Sequence, residues 1–173
     1  MNIEIERKFL IDLPDPTFIC GLEGASVKDI VQTYLPEKIS GNGEKVERRV
    51  RHITTDKRES FVYTEKRKCK SKAFSRFETE YEIEEEEYVL KRNDGETELR
   101  KTRYAFPYMG YVIEIDVYPE EIGGELLRGR AVLEVELNSE EDEILLPEFI
   151  HVISEITGNK AYSNKALAKK LKK

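Results

Sequence analysis

The sequence predicts a mainly β fold of the α+β class, in which about eight short strands form a closed or strongly curved antiparallel barrel with helices on its outside. Three observations predict it. Stretches with a side-chain period of two recur along the chain. Most are bounded by turns or connections rich in Pro or Gly. In most of them charged residues occupy one face, and the intervening positions are largely apolar or aromatic. No internal repeat, linker or low-complexity stretch divides the 173 residues, so a single domain spanning 1–173 is expected.

The first strand covers the opening residues up to about Asp12, with Glu4, Glu6 and Lys8 on one face and Ile3, Ile5 and Phe9 on the other. Leu13-Pro14-Asp15-Pro16 cannot continue a ladder. Residues 17–26 read as either a short helix or a loop, and 27–35 as a strand stopped by Pro36. Ser40-Gly41-Asn42-Gly43 is a hairpin turn; its glycines lack the spacing of a phosphate-binding loop. Strands follow at 45–54, carrying Glu47, Arg49 and Arg51, and at 60–68, carrying Lys66 opposite the aromatic face of Phe61 and Tyr63. The basic run from Lys66 to Lys72 reads mostly as a solvated loop. Another strand at 74–83 carries Glu78, Glu80 and Glu82, and a helix is expected over 84–91. Strands at 98–106, 111–118 and 131–138 present Lys101 with Arg103, Glu114 with Asp116, and Glu134 with Glu136. The first is expected to end at Pro107, and a Gly-containing connection through Gly123, Gly124 and Gly129 precedes the last. From Ser139 the pattern turns helical, with Ser139 and Asp142 spaced close to a capping box. A second short helix is expected over 149–156, and a small cationic one over 164–173.

Composition narrows the function. Charged residues make up 37% of the chain, well above the usual quarter, and the net charge of −6 argues against a protein that coats nucleic acid. There is no apolar run of about 18 residues and no secretory pattern, so a soluble cytoplasmic protein without membrane partners is expected. Cys20 and Cys69 are too few for a disulfide framework, and neither has metal-ligand spacing. His52 and His151 are isolated, so any metal would be held by carboxylate oxygens, which favours Mg²⁺ or Mn²⁺.

The charged faces admit two readings. They are wet, with the apolar faces forming a central core; or they line the inside of the barrel. Any single strand fits the first. The arrangement of signs favours the second: Glu114 with Asp116, and Glu134 with Glu136, are like-charge pairs on one face, and cross-strand repulsion between such strands costs some tenths of a kcal/mol per pair, up to about 1. A lumen coated with Lys8, Arg49, Arg51, Lys66, Lys101 and Arg103 would hold a polyanion, the guanidinium forks matching phosphate oxygens. The acids repel phosphate, and a divalent cation held by Glu4, Glu6, Glu134 and Glu136 resolves the conflict by bridging to it.

Taken together, Glu4-Ile5-Glu6-Arg7-Lys8, Glu47-Arg48-Arg49-Val50-Arg51, Thr64-Glu65-Lys66, Glu80-Tyr81-Glu82-Ile83, Lys101-Thr102-Arg103-Tyr104, Glu114-Ile115-Asp116, Leu133-Glu134-Val135-Glu136 and the closing segment from Asn159 to Ala168 resemble, in order, the motifs of the CYTH superfamily, the triphosphate tunnel metalloenzymes. The resemblance spans nearly the whole chain. It implies an eight-stranded antiparallel tunnel with a polar lumen and a C-terminal helix near one mouth. It implies Mg²⁺ or Mn²⁺ bound by Glu4, Glu6, Glu134 and Glu136, with Asp116 a further acid near the metal and Glu80, Glu82 and Glu114 further tunnel acids. Phosphate-gripping roles fall to Lys8, Arg49, Arg51, Lys66, Lys101 and Arg103, and to Lys160 and Lys165 from the closing segment. Glu4, Glu6 and Lys8 are the expected catalytic set.

Short bacterial members resembling this chain are mostly inorganic tripolyphosphatases, some also acting on nucleoside triphosphates; relatives include class IV adenylate cyclases, thiamine triphosphatases and RNA triphosphatases, and many form homodimers. The expected activity is metal-dependent hydrolysis of a terminal phosphoanhydride of a small-molecule triphosphate. No Ser, Cys or His stands in a candidate triad, which favours direct attack by water. Cyclisation of ATP is the first rival. A non-catalytic polyanion-binding module is a second, and the paired carboxylates argue against it.

Overall fold

Strand pairing closes a ring. The computed structural model describes residues 2–68, 75–139 and 141–170. Strand β1 (Asn2–Asp12) pairs with β6 (Ser75–Ile83) on one side and with β9 (Arg130–Leu137) on the other. Between them run β5 (Glu59–Lys68), β4 (Lys45–Thr54), β2 (Ser26–Tyr34), β7 (Thr97–Tyr108) and β8 (Tyr111–Val117), all antiparallel. The result is the expected closed eight-stranded antiparallel barrel, which leaves no open edge in the ring itself.

Two short strands lie off the ring. β3 (Lys38–Ile39) pairs with the start of β4 across the predicted 40–43 turn, where the N–H of Ser40 donates to the Glu44 carbonyl at 2.9 Å. β10 (Val152–Glu155) pairs with Phe9, Leu10 and Ile11 of β1, beyond the point where β6 ends.

β10 corrects the helix expected over 149–156. The exposed backbone of β1 needs partners there, and β-branched Val152 and Ile153 supply them in extended form; tertiary demand overrides the local pattern. The helix expected from Ser139 does not form either. The Asp142 carboxylate accepts from the N–H groups of Asn138 and Ser139, both at 3.0 Å, which satisfies the capping pattern within a turn. Ile144 and Leu146 then pack on the barrel with extended spacing.

Two further expectations change. β7 runs through Pro107 to Tyr108, because β2 stops pairing at Ala105 and the ring of Pro107 costs no ladder bond on that free side. The Gly-containing connection holds helix α3 (Glu120–Leu127), broken at Gly124, whose φ is 53°. Residues 17–26 resolve into helix α1 (Pro16–Cys20), capped by Asp15, and a connection. Helices α2 (Glu85–Asn93) and α4 (Asn164–Lys170) match the sequence reading over the described residues; Cys69, Lys70, Lys72 and the last three residues lie outside them. No described helix is long and apolar enough to cross a membrane.

The apolar side chains lie mostly on the outside of the wall. Ile5, Phe9 and Ile11 of β1, Leu133 and Val135 of β9 and Ile113 and Ile115 of β8 form one buried cluster, sealed by Ile19 of α1 and by Ile150. Val50 and Tyr63 form a second, under Tyr88 of α2. At one end the inner face closes in an apolar plug: Leu10, Val132, Leu99 and Tyr34 meet Ile156, Leu167 and Ala168. Leu167 is fully buried in this plug. Leu167→Ala should therefore lower unfolding free energy by about 2–5 kcal/mol, measured by urea titration against the parent protein.

Candidate functional site

The inner face encloses a cavity of about 470 Å³. Period-two alternation explains its lining, because each wall strand sends every second side chain inward. β1 supplies Glu4, Glu6 and Lys8; β4 supplies Glu47, Arg49 and Arg51; β7 supplies Lys101 and Arg103; β9 supplies Glu134 and Glu136. Lys66, Glu80 and Glu114 complete the predicted wall residues, and Lys160 and Lys165 reach the cavity from the closing segment. Two predicted residues stand elsewhere. Glu82 is mostly exposed and faces Arg58 at 3.3 Å, outside the cavity lining. Asp116 is fully buried behind the lining. Sequence reasoning left out Lys28, Arg76 and Glu78, which also line the cavity. For Glu78 the signal was its alternation with Glu80; Lys28 and Arg76 are single cations with no patterned neighbour.

Charge pairing organises the wall. Arg103 is the hub: its Nε and Nη2 grip Asp116 bidentately at 2.6 and 2.7 Å, Nη2 reaches Glu134 at 2.6 Å, and Nη1 bonds Glu114. Lys101 bonds the same Asp116, and Lys8 bonds Glu134 and lies 3.1 Å from Glu6. Lys66 sits 2.6 Å from both Glu4 and Glu78. Arg51 bonds Glu80. Burial disfavours a charge, and opposite or like neighbours then offset or add to it. For Asp116 and Glu134 the cations prevail over burial, and both carboxyls are held below the usual range, Glu134 far below it. Lys101 is pushed down to about 8 by burial and by Arg103 beside it. Arg51 is pushed down to about 10 by burial and by Arg49.

Two features of the wall remain unsatisfied. The Nε–H groups of Arg49 and Arg51 are buried and, among the described residues, have no hydrogen-bond partner. Such donors call for an acceptor supplied from outside the chain. The second feature is a knot of acids. Glu6 stands directly opposite Glu136 in the β1–β9 register. Burial, and then Glu134 nearby, raise the Glu6 carboxyl to about 7. Burial, and then Glu4, Glu114 and Glu78, raise Glu136. Glu136 has no ion-pair partner among the described residues.

The fit to a divalent cation can be tested against this donor set. Among the described residues no three side chains already converge as a ligand set. Glu134 and Asp116 are engaged by lysine and arginine at hydrogen-bond distance, whereas Glu6 has only Lys8 at 3.1 Å and Glu136 has no ion-pair partner among the described residues. Hard oxygen donors of this kind suit Mg²⁺ or Mn²⁺, and Glu4 is a further carboxylate that acts electrostatically on both.

Comparison with solved structures places the chain. The structure titled the inorganic triphosphatase NE1496 is 26% identical and superposes with a TM-score of 0.55 over 95% of this chain and 97% of that one. Another structure of NE1496, titled a hypothetical protein, gives 27% and 0.54 over the same shares. Likeness over nearly the whole of both chains is consistent with the CYTH resemblance that the sequence motifs carry. PH1819 from Pyrococcus horikoshii OT3, at 22% identity and TM-score 0.53 over 82% of this chain and 81% of that one, shares the fold. No protein-family profile matches the chain, and no curated protein matches its sequence.

Two predictions follow from the electrostatics. A carboxyl raised in the folded state contributes stability that is present at low pH and lost as pH rises from the unfolded value towards the folded one. For Glu6 that window runs from 4.5 to about 7. Thermal melts of the metal-free protein should therefore fall between pH 5 and 7, by on the order of 1 kcal/mol per pH unit, and Glu6→Gln should flatten the slope. Asp116→Ala strips both Lys101 and Arg103 of a buried partner and should cost about 3–5 kcal/mol in chemical denaturation.

Proposed function

We propose that this protein is a CYTH superfamily member that hydrolyses the terminal phosphoanhydride of a triphosphate, with inorganic tripolyphosphate the substrate the cavity suits best. The observation that carries the reading is the pair of buried, unpartnered guanidinium N–H groups of Arg49 and Arg51 in an enclosed lumen lined by ten cationic side chains and eight acids. An anion with several equivalent oxygens satisfies such donors. The likeness to the structure titled an inorganic triphosphatase supports the same reading.

Roles follow from position. Arg49 and Arg51 bind and orient the phosphate chain, and Arg103, fixed by Asp116, presents its remaining charge without needing to reorganise. Lys8, held between Glu6 and Glu134, is placed to neutralise phosphate charge next to the acids. Glu6 and Glu136, with Glu4, would hold Mg²⁺ or Mn²⁺, which when bound neutralises the phosphates and makes a coordinated water more acidic. Glu6, freed of its proton, is then a carboxylate able to orient water.

The adenylate cyclase reading needs a slot for adenine. Tyr34 is the only aromatic side chain among the described residues that line the cavity, and it is buried and bonded to Gln32 at 2.7 Å, so the described lining offers no stacking surface. Cytoplasmic location and homodimer formation stay as expectations drawn from the sequence and the family resemblance.

Phosphate release should be assayed with tripolyphosphate, ATP and thiamine triphosphate, each with Mg²⁺ and with Mn²⁺. Tripolyphosphate should give the highest kcat/KM, chelation should abolish turnover, and Arg49→Ala should lower kcat/KM by about 10²–10³-fold. Formation of cyclic AMP without phosphate release would overturn the proposal.

A further inference from the structure

Gln32 of β2 is only 1% exposed and yet carries a full amide. Ile30 and Tyr34, two residues to either side, line the cavity, so Gln32 lies on the inward face, but it stops behind the lining itself. Its Nε2 donates to the Tyr34 hydroxyl at 2.7 Å. Its Oε1 is buried and, among the described residues, accepts nothing. A buried amide carbonyl left without a donor is costly, and a leucine of similar volume would avoid that cost.

Strand register sets the two anion-binding arginines against this pair. Gln32 stands opposite Arg51, and Tyr34 opposite Arg49. Burial pushes the Tyr34 phenol up, and the charge and hydrogen bond of Arg49 pull against that rise. Arg51 has an Nε–H without an acceptor, across from an Oε1 without a donor. The other side is uncharged too, since β5 places Thr64 beside Arg49 and Val62 beside Arg51. Arg103 is surrounded differently, with Asp116 as its partner in the β7–β8 pair. The acids that do reach the β4 arginines, Glu78 at 4.0 Å from Arg49 and Glu80 on Arg51, come from β6, one strand farther on.

We propose that Gln32 is a positioning residue for the anion-binding arginines: it holds Arg49 through the Tyr34 hydroxyl, faces Arg51 with a spare acceptor, and by its neutrality leaves their charge free for the ligand. A carboxylate in the same place would fix the guanidinium groups as firmly. It would also neutralise them, as Asp116 does Arg103, and so compete with phosphate oxygens. An amide directs without discharging, and the unpartnered carbonyl is stability given up at a functional position. The inference rests on the proposed role of Arg49 and Arg51 in binding a triphosphate and adds the group that aims them.

The test follows tripolyphosphate hydrolysis and, separately, metal-free tripolyphosphate binding by calorimetry, with the full chain. Gln32→Leu keeps the volume and removes the amide. It should lower kcat/KM by about 10²-fold while the melting temperature holds or rises, because the buried carbonyl is gone. Gln32→Glu keeps the shape and adds a charge. It should raise KM by about tenfold with kcat little changed, and weaken binding by about the same factor. In an Arg51→Ala background Gln32→Leu should cost several-fold less, since residues that act as a unit are not additive. Parent-like kinetics of either Gln32 variant overturn the proposal. A loss undiminished in the Arg51→Ala background overturns it as well, as does a melting temperature that falls together with activity, which makes Gln32 a structural residue. A parent protein that binds tripolyphosphate without hydrolysing it overturns the proposed activity instead, and calorimetry with the same variants then decides the role of Gln32. A parent that does neither overturns both.

Discussion

Everything in this molecule follows from an inward-facing wall of charge that has to be neutralised in place. A barrel of eight strands has room inside for one layer of side chains, and here that layer is lysine, arginine and glutamate over most of its height. Taking such groups from water is expensive, and the wall is stable only because opposite charges meet at hydrogen-bond distance. Arg103 shows the economy of the solution: one guanidinium serves Asp116, Glu114 and Glu134 at once. With the inside given over to ions, the apolar faces had to turn outwards, and α1, α2 and the segment around Ile150 exist to cover them.

Neutralisation is incomplete, and its gaps mark the chemistry. Where the wall is fully paired, as around Asp116, the residues hold shape. Where it is not, at the Arg49 and Arg51 donors and at the Glu6–Glu136 pair, the chain leaves an anion-binding need and a cation-binding need next to each other. Under the proposed function, a phosphate chain with its counter-ion would meet both. A site that satisfied all of its own charges internally would have nothing left to bind with.

The sequence carried most of this because alternation is a strong and local signal. Glu4-Ile5-Glu6-Arg7-Lys8 states which residues share a face before any strand is paired, and the charged ladders follow from that rule except at Glu82 and Asp116. Glu82 fails because a ladder indicates a face and not a height: two residues beyond Glu80, the same inward side of β6 has run past the cavity. Asp116 was legible as an inner-wall acid but not as the fixed support of Arg103, since that depends on which cation stands across the strand pair. The misread segments share a cause. Residues 139–156 have local patterns compatible with helix, and what settles them is distant: the bare edge of β1 and the outer face of β8 and β9. Lys28 and Arg76 went unnoticed because a lone cation on a strand has no pattern to announce it.

The alternation that builds the wall also fixes how the chain can change length. In β1, Ile5, Phe9 and Ile11 hold the outer layer while Glu4, Glu6 and Lys8 face the lumen. Adding or deleting one residue within such a strand moves every later side chain to the opposite side of the sheet. The apolar residues would enter the tunnel and the ions would be driven into the seam beneath the helices. Insertions and deletions are therefore confined to the connections, such as the 40–44 turn or the segment around Gly124 and Gly129, and the lumen can diversify only by exchanging one residue for another at a fixed frame.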